Sequence, residues 1–132
     1  MLEDFITREH ASRAHLLNPK YEVIVHEQVW DDYKTWYIIE TYGDGGIRVT
    51  IDNDNPGEAI ISDLFVSEYI RQQKLGTYLL NFVKFCICEY NEKHGTYIKG
   101  AAVAANDISA HMFEKFGFVK EKDGRYILYD HT

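Results

Sequence analysis

The sequence predicts a protein of the α/β (α+β) class in which helices flank a central β-sheet. β-Branched and aromatic residues fill most of the stretch from Tyr21 to Val66, and the cluster Gly43-Asp44-Gly45-Gly46 inside it indicates a hairpin. From Leu75 onward, apolar residues recur every three or four positions, which is the period of an amphipathic helix. These two patterns together favour a layered fold of strands and helices.

The first half of the chain reads as one short helix followed by strands. Apolar residues between Leu2 and Leu17 favour a modestly amphipathic helix. The strands expected after it are Tyr21–His26, Trp36–Ile39, Ile47–Ile51 and Glu58–Val66, of which the last should be largely buried. Turn residues between the last three runs support separate strands.

The second half alternates between helices and strands. A long helix is expected from Leu75 to Tyr90, followed by a strand at Tyr97–Ala104. A short helix should come next, because Asn106 is a good N-cap and Gly117 a good left-handed stop. The remainder, Phe118–Asp130, reads as a final hairpin.

Length and composition fit one domain covering residues 1–132. The formal net charge of −7 disfavours sequence-independent nucleic-acid binding and mildly favours a cationic partner. Cys86 and Cys88 are too close on a helix to pair with each other, and no metal-ligand cluster accompanies them. No signal peptide and no membrane-spanning run is apparent. We therefore expect a cytoplasmic, metal-free monomer or homodimer without membrane contact.

The most informative junction lies between the buried strand that ends near Val66 and the helix that begins near Gly76. A helix N-terminus presents unpaired backbone N–H groups and a partial positive charge, which suit a pyrophosphate. Arg71 and Lys74 in the connecting loop add positive charge. The junction is therefore a candidate phosphate site.

Two segments resemble the GCN5-related N-acetyltransferases (GNATs). The stretch from Leu64 to Leu80, with Arg71-Gln72-Gln73-Lys74-Leu75-Gly76 at its centre, looks like their acetyl-CoA-binding motif. The stretch from Asn106 to Phe118 resembles their later segment of an Asn, a short helix and a closing Gly-Phe. The resemblance implies a mixed, mostly antiparallel sheet and an acyl-CoA-dependent N-acyltransferase.

The resemblance also implies which residues bind the acetyl-CoA co-substrate. The amides from Gln72 to Thr77 would hold the pyrophosphate. The strand Ile61–Val66, which diverges from Tyr97–Ala104, would pair with the pantetheine arm through its backbone. Asn106 matches a position near the reactive end of the cofactor. The complete candidate set is Leu64, Phe65, Val66, Arg71, Gln72, Gln73, Lys74, Leu75, Gly76, Thr77, Asn106 and Phe113.

Two positions depart from the family pattern. Lys74 stands where a glycine is expected, and its Cβ would be strained if φ there were positive. Phe113 stands where many members have a tyrosine that protonates the departing thiolate. Because phenylalanine cannot donate a proton, another group or water must replace that tyrosine if transfer occurs.

The implied reaction is direct attack of an amine on the acetyl thioester, which needs a general base. The candidates are Glu58 and Asp63, each of which could equally be an ordinary surface carboxylate. Tyr126 is a candidate replacement acid, although buried tyrosines are more often packing residues. We expect an N-acetyltransferase whose acceptor is an amine-bearing small molecule, peptide or protein. The alternative is a non-catalytic binding module that keeps the fold.

Overall fold

The computed structural model describes residues 5–29, 33–40, 43–52, 54–67 and 74–129. Seven strands form one sheet in the order β1-β2-β3-β4-β5-β7-β6. The bounds of the strands are β1 Val23–Val29, β2 Tyr33–Glu40, β3 Gly45–Asp52, β4 Asn55–Val66, β5 Lys99–Ala102, β6 Val119–Lys120 and β7 Tyr126–Leu128. Only the β4–β5 pair is parallel, so the mixed, mostly antiparallel sheet is confirmed.

Three α-helices accompany the sheet in the described part of the chain. They are α1 Arg8–Arg13, continued by a 3-10 turn at Ala14–Leu16, α2 Leu75–His94 and α3 Asp107–Phe116. α1 begins later than expected because the side chain of Thr7 caps it in a capping box with His10. α2 ends later than expected, at Gly95, whose φ of 64° provides the left-handed stop.

All three helices pack on one face of the sheet. Phe5, just before α1, has its ring centroid 5.4 Å from that of Trp36 on β2 and 5.5 Å from that of Tyr90 on α2. Phe113 of α3 belongs to the same continuous cluster of buried side chains. Burying this apolar surface is the main stabilisation of the fold.

The opposite face of the sheet, which we call the open face, carries a different set of side chains. Direct strand partners place His26, Tyr37, Arg48 and Ser62 in one row across β1 to β4, and all four are exposed or half-exposed. Alternation along a strand explains the difference, because neighbouring residues point to opposite faces. The sheet thus has a helix-covered face and a face accessible at β1 to β4.

Candidate functional site

β4 and β5 separate at one end of the sheet. Their pairing runs from Glu58 opposite Lys99 to Ile61 opposite Ala102, and the amide of Val103 donates a last 2.9 Å bond to the carbonyl of Ile61. β4 continues to Val66, still paired with β3 on its other edge. In the described residues this leaves a notch, which we define as the gap beside β4 residues 62–66. Backbone groups facing a notch can pair with an extended ligand.

A β-bulge shapes β4 beside this notch. Arg48 pairs with Ser62 and Gly46 with Phe65, so Ile47 alone faces both Asp63 and Leu64. Asp63 has a φ of 54°, which is left-handed. Its carboxylate oxygen Oδ2 lies 2.9 Å from Nη2 of Arg48, and Nε of Arg48 donates to Oγ of Ser62 at 3.1 Å. The bulge thus holds a carboxylate at the notch.

The N-terminus of α2 lies next to the same end of β4. Its N-cap, Lys74, has φ 64° and ψ 27°, and its side chain makes no capping bond. The first turn contains no acidic side chain that would compete for the backbone N–H groups. These groups and the helix dipole form an anion-binding end.

A cavity of about 620 Å³ opens between the start of α2 and α3. This volume lies in the range of small-molecule sites, about 300–1,000 Å³. A Cβ added to Gly76 would lie 2.7 Å from Sδ of Met112, so glycine lets the two helices approach closely. The cavity is lined by Val66, Lys74, Gly76, Thr77, Leu80, Asp107, Ile108, His111, Met112 and Lys115.

Comparison with known proteins identifies the family. The model of the acetyltransferase (GNAT) domain matches residues 31–120, about two-thirds of the chain. The chain belongs to the GNAT family. The match begins at β2 and ends with β6, so it includes the notch, the α2 N-terminus and α3.

Solved structures support the GNAT fold at low sequence identity. AtaTR bound with AcCoA superposes with a TM-score of 0.57 at 11% identity, over 74% of this chain and 67% of that one. A GNAT acetyltransferase from Staphylococcus aureus Mu50 gives 0.53 at 20% identity, over 94% and 81%. Arabidopsis thaliana Naa50 in complex with the bisubstrate analogue CoA-Ac-MVNAL gives 0.50 at 19%, over 74% and 72%. No curated protein sequence matches the chain significantly.

The predicted cofactor residues fall into three groups in this GNAT domain. Val66, Lys74, Gly76 and Thr77 line the cavity between α2 and α3. Leu64 and Leu75 are buried in the core, whereas Phe65 is 51% exposed on the open face. Arg71, Gln72 and Gln73 lie outside the described residues. In the described residues, the side chains around the candidate phosphate site therefore come from the end of β4, the start of α2 and α3.

The later GNAT segment forms α3, but neither of its predicted residues lines the cavity. Asn106 is the N-cap: its Oδ1 accepts the Ser109 amide at 2.9 Å, and Ser109 Oγ accepts the Asn106 amide at 3.2 Å. Phe113 is fully buried, with its ring centroid 5.3 Å from that of Phe118. Phe113 is a core residue and does not line the cavity. The position that carries a tyrosine in many family members therefore offers neither a phenol nor an exposed ring.

The three predicted catalytic residues lie in different surroundings. Asp63 is at the notch, with its side chain 60% exposed. Glu58 lies toward the opposite end of β4, where it pairs with Lys99 of β5. Its carboxylate is 3.1 Å from Nη1 of Arg125 and 3.7 Å from Nζ of Lys99. That hydrogen bond is the main cause of a raised pKa of Arg125. The structure therefore separates the two carboxylates.

Tyr126 on β7 pairs with Ala102, the last residue of β5. Its hydroxyl donates to Oε1 of Glu114 at 3.3 Å. Burial, and then the charge of Glu114, raise the pKa of Tyr126 above its usual value. The phenol is thus protonated at neutral pH but is engaged with α3.

Six residues that line the cavity were not predicted as site residues, and three of them, Asp107, His111 and Lys115, are polar. They stand four positions apart on α3 and therefore form one polar stripe along the helix. That spacing was visible in the sequence, but nothing local showed that the stripe faces α2.

In the described residues, no helix is long and apolar enough to cross a membrane.

Proposed function

We propose that this GNAT domain transfers an acetyl group from acetyl-CoA to a primary amine. The observation that carries the proposal is the continuity of three features: the α2 N-terminus, the cavity beside it and the notch along β4. An anion-binding helix end and a free strand edge are what a phosphorylated, amide-containing arm needs. Acetyl-CoA has both a pyrophosphate and such an arm, and it supplies the thioester.

The residues around the cavity would bind the phosphorylated part of the donor. The first amides of α2 would bind the pyrophosphate, and Lys74 and Lys115 line the same cavity with cationic side chains. Val66 contributes the floor next to the notch. The backbone of β4 from Ser62 to Val66 would pair with the amides of the pantetheine arm.

The bulge would carry the chemistry. A bulge leaves backbone N–H groups outside the ladder, and such groups can polarise a thioester carbonyl. Of the three predicted catalytic residues, Asp63 is the one beside the notch, so it would accept the proton of the attacking ammonium. The amine nitrogen then forms the amide bond as the carbon–sulfur bond breaks. A water molecule would carry the second proton of the nitrogen to the departing thiolate, because Phe113 has no proton to donate and Tyr126 is bonded to Glu114.

A second function, binding without transfer, is favoured by one observation. The position that carries the tyrosine in many family members is a fully buried phenylalanine. A domain that has lost its acid could retain the cavity and the strand edge as a binding surface. This alternative requires acetyl-CoA or an interaction partner to bind without turnover.

Calorimetry and a turnover assay test the proposal together. Acetyl-CoA should bind the purified protein, and Lys115→Ala should weaken binding by about threefold to tenfold through loss of one phosphate contact. Lys120→Ala is the matched control, because Lys120 is an exposed lysine on β6 outside the cavity lining. Absence of binding at millimolar acetyl-CoA would overturn the transferase and leave only a module that binds a different partner. Binding without CoA release across a panel of amines would select the non-catalytic module.

A further inference from the structure

An apolar strip crosses the open face at the level of the notch. Ile24 pairs directly with Ile39, Ile39 with Gly46, and Gly46 with Phe65, so these residues form one row across β1 to β4. The ring of Phe65 lies over Gly46, because a Cβ there would be 2.6 Å from its Cε1. We define the apolar strip as Ile24, Ile39 and Phe65. It is the surface against which a bound molecule could bury apolar area beside Asp63.

The strip is on the side from which the acceptor must approach. The cavity for the donor lies on the helix-covered face, between α2 and α3. A donor arm that enters the notch occupies the plane of the sheet, and its acyl end lies beside the bulge. An attacking amine needs to reach about 3–3.5 Å from the thioester carbon. The open face, with Asp63 and the strip, is the side that the donor leaves accessible.

The shape of the strip favours a polypeptide over a small amine. Three strand-to-strand steps of about 4.8 Å give it a length of about 14 Å, equal to about four residues of extended chain. Small ligands are usually enclosed in concave sites that bury most of their surface. A flat strip buries only one side of a ligand, so a ligand gains enough contact area only if it is long. Ile24 is 43% exposed and Phe65 51% exposed, which leaves apolar area for such contact.

We infer that the acceptor is the N-terminal amine of a polypeptide whose first residues are apolar, laid across Ile24, Ile39 and Phe65. This inference rests on the proposed function, since it names the acceptor of the same site. The ammonium lies at Asp63, and the leading side chains cover the apolar strip. An acidic leading residue is disfavoured because the net charge of −7 repels it.

Binding of bisubstrate conjugates tests the inference without requiring turnover. CoA would be joined through an acetyl spacer to the N-terminus of a hexapeptide that begins with Leu-Phe, and its Kd compared by calorimetry with that of CoA alone. The apolar-led conjugate should bind at least tenfold more tightly than CoA. Conjugates of a Glu-Asp-led hexapeptide and of phenethylamine serve as comparisons and should each gain less than threefold.

Variants of the strip locate the added affinity. Ile24→Ala and Ile39→Ala should each weaken the apolar-led conjugate by about threefold to tenfold while leaving the Kd of CoA unchanged. Val29→Ala is the matched control, because Val29 is on the same strand and 56% exposed but lies outside the strip. Thermal unfolding shows that each variant is folded; if Ile39→Ala is not, Ile39→Val with a smaller loss replaces it.

The outcomes separate this inference from the proposed function. If CoA itself does not bind, the proposed function fails. If CoA binds but the Leu-Phe peptide adds no affinity, or if Ile24→Ala behaves as Val29→Ala does, the inference fails alone. An equal gain for the phenethylamine conjugate overturns the polypeptide acceptor in favour of a small amine. An equal gain in affinity for the acidic conjugate would show that the strip does not select apolar leading residues, and it overturns the inference.

Discussion

The two ends of β4 differ in pairing and in backbone strain. At its start, Glu58 is paired on the sheet with Lys99, and its carboxylate lies between Lys99 and Arg125. At its far end the strand has lost β5, bulges against β3 and holds Asp63 at a φ of 54°. One strand thus has a relaxed end that pairs with β5 and a strained end that does not, and the carboxylate at each end is ion-paired.

The strain is concentrated at the candidate site. Among the described residues, Asp63 and Lys74 are the non-glycine residues with positive φ. Asp63 lies on the notch, and Lys74 lines the cavity between α2 and α3. Strained backbone persists where the surrounding structure imposes it, and such residues cluster at functional sites. Backbone strain and the loss of strand pairing, and not the presence of a carboxylate, therefore distinguish a candidate catalytic residue from a structural one.

The largest expected effect is at the strained end. Asp63→Asn keeps a side chain that tolerates left-handed backbone but removes the proton acceptor. We expect kcat/KM for an amine acceptor to fall by about a hundredfold or more, with the Kd of acetyl-CoA unchanged. Release of CoA, followed with a thiol reagent, measures the rate. Full activity of this variant would remove Asp63 from the mechanism.

A smaller effect is expected at the relaxed end. Glu58→Gln removes the charge that faces Arg125 and Lys99, so unfolding should become easier by about 1 kcal/mol. Its kcat should stay within about threefold of the wild type, and the pH–rate profile should be unchanged. Urea unfolding and the same CoA-release assay check these two results. A loss of rate confined to low pH would instead make Glu58 the base and reverse the comparison.

Strain at Lys74 should be visible as stability. Lys74→Gly relieves the left-handed Cβ but adds flexibility to the unfolded chain, so a net gain of about 0.5–1 kcal/mol is expected. If the backbone holds the phosphates, the Kd of acetyl-CoA will be unchanged or lower. Lys74→Ala keeps the Cβ and removes the ammonium, so it separates strain from charge. A large loss of affinity in both variants would show that the ammonium binds phosphate directly.

How far the sequence predicts this molecule depends on whether a feature is local. The α2 helix, the Asn106 cap and the Gly117 stop follow from spacing and capping within a few residues, and all are observed. The left-handed Asp63 does not, because it arises from the register between β3 and β4. Burial of Phe113 likewise depends on contacts with Phe118 and Tyr126.

The acceptor side was the least predictable region. The apolar strip joins residues 24, 39 and 65, which no window of sequence brings together. The spacing of Ile24 and Ile39 does not show which face of the sheet the helices cover. The bulge in β4 also shifts the alternation that would otherwise place Phe65. Tertiary pairing therefore decides where the candidate acceptor surface lies.

The smallest effect is expected at Tyr126, beside the last residue of β5. Its hydrogen bond to Glu114 is long, at 3.3 Å, so Tyr126→Phe should destabilise the fold only slightly at neutral pH. Its pKa is raised by burial and then by Glu114, so the folded state holds the proton more tightly than the unfolded state. This contribution is complete below a pH of about 10, the usual value for tyrosine, and is lost as the pH rises through the folded pKa. Urea unfolding at neutral and strongly alkaline pH should therefore show a smaller alkaline loss of stability for Tyr126→Phe than for the wild type. Tyr129, whose pKa is raised chiefly by Glu121, contributes to the alkaline loss in both proteins. Equal alkaline losses would mean that the Tyr126 phenol does not sense Glu114. A fall in kcat at neutral pH would instead place this phenol in the transfer step, despite its bond to α3.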